Sequence, residues 1–493
     1  MGFKEDADFA RFVSMGAVAT DAVRNDLKRY GHEAIELERY AMANKVWQTK
    51  VKRLRLPDLV CSRCGLRIES RGKSQLGIIL SHSTAGAEGR TWDGGGMREA
   101  DLYAFVRLDL ASTPPHTSQP VYFRTSDLRT AVFWARESGR KASSEGSEVT
   151  LTWPTWVPKK SGVFTGQDAE GRLICKWNDG SRSTYWQWRN WSARYIYIQS
   201  GDFITAGETM AAGIVSPAGN IACAGGWDLR AALTDPDTAE RYAAAKVAGI
   251  LKRSDLVGEL THIAQGEVDW RLRLEATASL ARIDARWLRP VVEMATTSEN
   301  PAAQRIEAVF VLSEIPTDEA ADALAEIAVE DGENPRELRA AAVWGLAQGV
   351  HPRPDLVLLY AADSDEFVAL HAIAGMPSLP DDLLPGLLDW LDQDDKHAAA
   401  AAQVLLRHEA VQPLLTAVHK GGRGRLWALR ALGDLPRELV QSSGGELLTE
   451  RIEQHLEPIW IGREDWLRGP GAEGLEALDI QKIRFNPLVT QDD

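Results

Sequence analysis

Long apolar runs are missing from this 493-residue chain: no window approaches 18 uninterrupted apolar residues, so no membrane-spanning helix is expected. The opening, Met1-Gly2-Phe3-Lys4-Glu5-Asp6, lacks the basic and apolar regions of a secretory leader, and the expectation is a soluble, cytoplasmic protein with no membrane partner. Cysteine is scarce. Cys61, Cys64, Cys175 and Cys223 cannot supply a disulfide framework for so long a chain, and the close pair Cys61-Ser62-Arg63-Cys64 reads as a metal half-site or a buried thiol pair. Familiar catalytic signatures are absent too. The Gly-rich loop Trp92-Asp93-Gly94-Gly95-Gly96 is followed by no Gly-Lys-Ser/Thr, no G-x-G-x-x-G opens a βαβ unit, and there is no nucleophile elbow, kinase set or HExxH. What is present, 44% hydrophobic, 26% charged and 8% aromatic residues, is globular composition at a length that predicts several domains.

The net charge of -14 is unevenly spread. Residues 1–230 hold 31 Lys and Arg against 25 Asp and Glu, and the remainder holds 25 against 45. A mildly basic first half can approach a polyanion, whereas the acidic second half repels one. Basic charge concentrates between Lys45 and Lys73, where nine cations, including Lys50, Lys52, Arg53, Arg55 and Arg67, face only Asp58 and Glu69. DNA contact through this stretch is one reading; a solvated basic helix end and edge strand is the other.

The second half repeats. Arg271 to Ile283, Arg305 to Ile315, Leu338 to Gln348 and Ala369 to Leu379 align, with anchors Leu280, Leu312, Leu346 and Met376 falling 32, 34 and 30 residues apart. Second helices are expected over Ala320 to Ala328 and Leu383 to Leu391. A period of this size means stacked helical pairs, and the Ala-x-x-x-Leu spacing suits close helix packing. Over roughly residues 236 to 436 the pattern resembles HEAT repeats of the PBS-lyase-like kind, which implies a concave binding surface; its acidity favours a protein partner over DNA.

Between about 150 and 227 the chain changes character. Trp153, Trp156, Trp177, Trp186, Trp188 and Trp191 lie within 39 residues, among glycines and short alternating segments, which predicts a small antiparallel β barrel or sandwich. The tryptophans serve either as its core or as a stacking platform for bases.

The chemistry-bearing stretch precedes these. A helix is expected over Glu33 to Thr49, then Leu56-Pro57-Asp58-Leu59-Val60, a turn holding Cys61, Cys64 and Gly65, and a strand from Leu66 to Lys73. With period two, Leu66, Ile68 and Ser70 share one face and Arg67, Glu69, Arg71 and Lys73 the other, and the hairpin brings Asp58 beside Glu69. Two such carboxylates repel unless a divalent cation lies between them, and oxygen ligands suit Mg²⁺. Here the sequence resembles the PD-(D/E)XK nuclease superfamily, which implies a mixed sheet flanked by helices and a Mg²⁺- or Mn²⁺-dependent DNA endonuclease of the kind found in restriction or phage-defence systems. The resemblance places the Pro-Asp on Pro57-Asp58, the second acid on Glu69, and the helical acid on Glu36, with Glu38 as alternate. Arg71 stands where the family has lysine, and arginine cannot act as a general base, so Lys73 is the other candidate cation. The alternative is a degenerate fold, a non-catalytic scaffold binding nucleic acid or protein. Strands are further expected over Leu76 to Ser81 and Pro120 to Arg124, and helices over Arg98 to Leu110 and Leu128 to Ser138.

For the Cys61/Cys64 pair, a zinc site needs two more ligands, and Cys175, Cys223, His82 and His116 are the candidates. The expected layout is multidomain: an α/β nuclease-like domain over 1–148, a small Trp-rich β barrel or sandwich over 149–230, an α-solenoid of HEAT-like repeats over 231–440, and a capping helix and tail over 441–493. The sequence leaves the oligomeric state open.

Overall fold

The computed structural model describes residues 16–37, 49, 51, 54, 56–83, 91–93, 97–109, 115–139, 141–143, 146–185, 195–329, 334–376 and 378–467. The chain divides into two compact units, one principally Arg53–Val247 and the other principally Ala248–Asp493.

The first unit opens with α1 (16–27). Strands β1 (Ala34–Glu36), β2 (Leu59–Cys61), β3 (Arg67–Lys73), β4 (Ile78–Ser83), β5 (Leu102–Asp109), β6 (His116–Thr117) and β7 (Val121–Arg124) follow, then α2 (Thr125–Thr130). The main sheet runs β1-β2-β3-β5-β6, with β7 also on β5. All its pairings are antiparallel except β3 with β5. Strand β5 is central and buried on both faces. Its Leu102, Ala104 and Val106 join Ile68 and Leu59 against Ala19, Val23 and Leu27 of α1. On the other face Tyr103 and Phe105 meet Ile78 and Leu80 of β4, Phe123 of β7 and Trp153. That second layer is a sheet of β4, β8 (Arg136–Glu137), β9 (Lys141–Ser143) and β10 (Gly146–Trp153).

Three helical expectations fail here. Residues 34–36 of the expected Glu33 to Thr49 helix form β1, and 38–48 lie outside the described residues. The expected helix over Arg98 to Leu110 is β5, because an apolar run carrying Tyr103, Phe105 and Val106 and buried on both faces shows no strand alternation. The Leu128 to Ser138 helix shortens to α2, a 3-10 turn over Val132–Trp134 and β8. The expected boundary at 148/149 falls inside β10, whose residues pair with β4 from Glu148↔Ser83 to Trp153↔Ile78.

Two small antiparallel sheets complete the β region: β11 (Thr155–Trp156), β15 (Tyr195–Ile196) and β17 (Ala212–Gly213), and β12 (Gly162–Gln167), β13 (Leu173–Trp177), β14 (Arg182–Tyr185) and β16 (Phe203–Ile204). They share a core of Phe164, Leu173, Cys175, Trp177, Ile204 and Ala212, and among the described residues no barrel closes. Trp153 and Trp177 are buried core residues and unavailable for base stacking; Trp186, Trp188 and Trp191 lie outside the described residues. Helices α3 (Leu229–Ala232) and the start of α4 (Thr238–Ile250) belong to this unit as well.

The second unit is all helical among the described residues apart from its connections. In order it contains α5 (Val257–Gly266), α6 (Trp270–Ile283), α7 (Leu288–Thr296), α8 (Ala302–Leu312), α9 (Asp318–Ala328), α10 (Arg336–Gln348) and α11 (Pro354–Tyr360). It continues with α12 (Glu366–Gly375), α13 (Leu384–Trp390), α14 (Asp395–Arg407), α15 (Val411–Lys420), α16 (Gly424–Asp434), α17 (Arg437–Gly444) and α18 (Glu450–Leu467). From α6 onward the even-numbered helices stack on one another in succession, and the odd-numbered ones pack along them. The anchors Leu280, Leu312, Leu346 and Met376 are all buried, the last three in one continuous core. Small residues set the spacing: a Cβ on Gly249 would lie 2.6 Å from the Ser279 backbone.

Two of the turns between repeats are also stapled. The Arg305 Nε donates to the Ala295 carbonyl at 2.8 Å and its Nη2 to Asn334 Oδ1 at 2.9 Å. One repeat later the Arg339 Nε donates to the Ala328 carbonyl at 3.1 Å, and its Nη2 pairs with Asp363. The stack continues past the expected limit at 436, since α18 packs on α16. No helix among the described residues is long and apolar enough to cross a membrane.

Candidate active site

The β2–β3 hairpin sets the first group. Its register pairs Leu59 with Ile68 and Val60 with Arg67, so the next positions outward are Asp58 and Glu69. Ile68 packs into the α1 core, which leaves Glu69, Arg71 and Lys73 on the opposite face, Glu69 level with Tyr103 and Arg71 with Phe105. Asp58 is half-buried and oriented: its Oδ2 accepts the Ser70 backbone N–H at 2.6 Å. Burial, followed by the charge of Glu69, pushes its carboxyl up to about 8, against the opposing pull of Arg71 and the Ser70 N–H. The Arg71 guanidinium pairs with Glu69, and 15% of the Glu69 and 39% of the Arg71 side chain remain exposed, so this face reaches solvent. Lys73, two residues on, is lowered to about 8 by burial and then by Arg71, with Glu148 opposing.

Glu36 enters differently from expectation. It closes β1, level with Leu59, on the α1 side of the sheet. It is a strand residue and not a helical one, and its charge is the last-ranked of those acting on Asp58. Glu38, Lys50, Lys52, Arg53 and Arg55 lie outside the described residues. Arg67 does not serve a nucleic-acid surface: only 1% of its side chain is exposed, and it pairs with Glu240 at 3.0 Å, Asp237 at 3.2 Å and Asp101 at 3.5 Å. Period two placed it with Glu69, but three acids, two of them about 170 residues away, draw it inward.

The second group surrounds the hairpin turn. Cys61, Cys64, Cys223 and His32 offer ligand atoms that all lie within 4.8 Å of one another, and among the described residues no other set of three or more His, Cys, Asp or Glu does so. Cys61 Sγ is 3.8 Å from Cys223 Sγ, and Cys64 Sγ is 3.6 Å from His32 Nδ1. The turn is fixed by backbone: the Gly65 N–H donates to the Cys61 carbonyl at 2.9 Å and the Cys61 N–H to the Leu66 carbonyl at 2.8 Å. Gly65 has φ +69°, and a Cβ there would lie 2.7 Å from the Trp227 ring, so glycine is required twice over. The Cys223 N–H donates to the Tyr30 carbonyl at 2.8 Å, bringing its thiol to the cluster.

Of the four expected partners for Cys61 and Cys64, the fold brings only Cys223. Cys175 is buried in β13, His82 lies in β4, and His116 bonds Glu208 at 3.0 Å. His32 went unread because its neighbours look helical. Once β1 is a strand, the register Ala34↔Cys61 sets residue 32 level with 63, beside Cys64.

No family model matches the chain, and no curated protein matches it. Solved structures similar to it include the complex of CpcE and CpcF of phycocyanin lyase from Nostoc sp. PCC7120, at 17% identity and a TM-score of 0.22 over 47% of this chain and 93% of that one. Another is the Escherichia coli protein YibA, at 14% identity and a TM-score of 0.25 over 53% of this chain and 90% of that one. An engineered protein gives 19% identity and a TM-score of 0.21 over 48% and 96%. At these scores the superpositions carry no argument about fold or function, and the assignment of a helical-repeat unit rests on the stacked helices themselves.

Proposed function

We propose that the first unit is a divalent-metal-dependent phosphodiesterase acting on DNA, of the PD-(D/E)XK type, and that the acidic helical repeats hold a basic protein partner. One observation carries this reading: Asp58 and Glu69 occupy opposed positions of a hairpin, with Arg71 and Lys73 following on the same strand face as Glu69. The donor set fits Mg²⁺ or Mn²⁺, since both groups offer hard oxygens and Asp58 is already oriented by the Ser70 N–H. A cation bound there supplies charge neutralisation and water activation.

The chain's own residues do the rest. Arg71 steadies Glu69 and presents a permanent charge to a phosphate oxygen. Lys73, brought near neutrality by burial, is the group suited to exchange a proton: it takes one from water as the new P–O bond forms and returns it to the leaving oxygen as the old bond breaks. The test is cleavage of supercoiled plasmid with Mg²⁺ or Mn²⁺. Asp58→Ala and Glu69→Ala are expected to abolish it, and undiminished cleavage by either variant overturns the reading.

A second reading has its own support. Arg71, at the family's lysine position, is committed to Glu69, as expected of a nuclease-like scaffold that binds without cutting. It predicts salt-sensitive DNA binding with no metal-dependent turnover.

A further inference from the structure

We propose that His32, Cys61, Cys64 and Cys223 form a structural zinc site. The inference is independent of the phosphodiesterase reading, because the four ligands are soft and nitrogenous where Asp58 and Glu69 are hard oxygens.

Two of the separations match those of a tetrahedral centre, and all four ligand atoms lie within 4.8 Å of one another. Thiolates about 2.3 Å from a tetrahedral zinc lie about 3.8 Å apart, and a thiolate and an imidazole nitrogen about 2.0–2.1 Å from the metal lie about 3.6 Å apart. The observed separations are 3.8 Å for Cys61 and Cys223 and 3.6 Å for Cys64 and His32. A disulfide would bring two sulfurs to about 2.05 Å and leave the others without a role. None of the four cysteines is in a disulfide.

The outer shell is in place as well. His32 is 2% exposed, and its Nε2 lies 2.6 Å from the Ile221 carbonyl. A carbonyl only accepts, so Nε2 carries the hydrogen and Nδ1 turns a lone pair toward Cys64; zinc-binding histidines are commonly oriented in this manner. The Cys61 to Gly65 turn, with its left-handed glycine, presents both thiols to one side. Four ligands leave no open position, so the centre is structural and not catalytic. It ties together the turn after α1, the β2–β3 hairpin and the segment before α3, three pieces of one unit.

Elemental analysis of the full-length protein, purified without chelator, tests this together with cobalt substitution. The expected result is one zinc per chain, and a Co²⁺ form with thiolate charge-transfer and tetrahedral d–d bands. Cys223→Ser and His32→Ala should weaken zinc binding by more than about 10-fold. His32→Cys should retain the metal with stronger charge-transfer absorption, and Cys175→Ser and Asp58→Asn should retain it unchanged. The proposal is overturned if the wild-type protein holds no zinc and takes up neither metal, or if Cys175→Ser loses zinc as readily as Cys223→Ser. Should Cys223→Ser fail to fold, the wild-type stoichiometry and cobalt spectrum still decide.

Discussion

Arg67 and Arg71 sit four residues apart on one strand face, and the difference in their surroundings predicts opposite phenotypes. Arg67 is enclosed by Asp101, Asp237 and Glu240, with Arg98 also bonding Asp101 and Glu240. Removing one partner of a buried ion cluster strands the rest, so Arg67→Met should destabilise the protein by about 3–5 kcal/mol in chemical denaturation. Arg71→Met leaves a half-exposed pair and should change stability by less than about 1 kcal/mol while weakening DNA binding, read as a shift in a filter-binding curve. Asp58 behaves in a third way. Its carboxyl group is held beside Glu69 at a cost to the fold, so Asp58→Asn should stabilise the magnesium-free protein by roughly 1 kcal/mol, read as a higher denaturation midpoint, while removing cleavage. A lower midpoint would show that the pair is not in conflict.

Elements were legible in the sequence where one period governed them. The repeat anchors read correctly because Leu280, Leu312, Leu346 and Met376 are all buried, and α6 and α10 match their expected spans within two residues. The β2–β3 hairpin read correctly because only one face of β3 near Glu69 is open. Strand β5 did not, since burial on both faces erases alternation, and β1 did not, since its three residues are too few to show any period. Two consequences at this scale can be measured. Gly249→Ala would press a methyl group onto the Ser279 backbone and should cost about 1–3 kcal/mol. His371 in α12 is fully buried, its Nδ1 donating to the Phe367 carbonyl at 2.7 Å, and burial lowers it to about 4; His408 after α14 is lowered likewise. An unfolded chain binds protons at these imidazoles below about 6.5 while the folded one does not, so stability present above that pH is lost as pH falls toward 4. The expected loss is on the order of 2 kcal/mol, and His371→Gln should flatten the pH profile of the melting temperature.

At the level of the molecule, the two units have separate cores, and calorimetry of the full chain should resolve two transitions. Stripping zinc with a chelator should lower one and leave the other in place, whereas Gly249→Ala should do the reverse. The units were legible as regions of opposite charge and different periodicity, but their border was not. Residues 229–247 look like the start of the repeats, yet Asp237 and Glu240 are the acids that neutralise Arg67. Only the folded chain shows which side of a border a helix serves.

The same long-range closure bears on how the protein is made. Cys61 and Cys223 are 162 positions apart, and Arg67 and Asp237 are 170 apart. At about 5–20 residues per second, a ribosome needs roughly ten seconds or more between synthesising the first member of each pair and its mate. During that interval the hairpin emerges with bare thiols and an unneutralised guanidinium. Its assembly must wait until the leading turn of α4 clears the exit tunnel, so the amino-terminal unit finishes folding only as the first repeat helices are being translated.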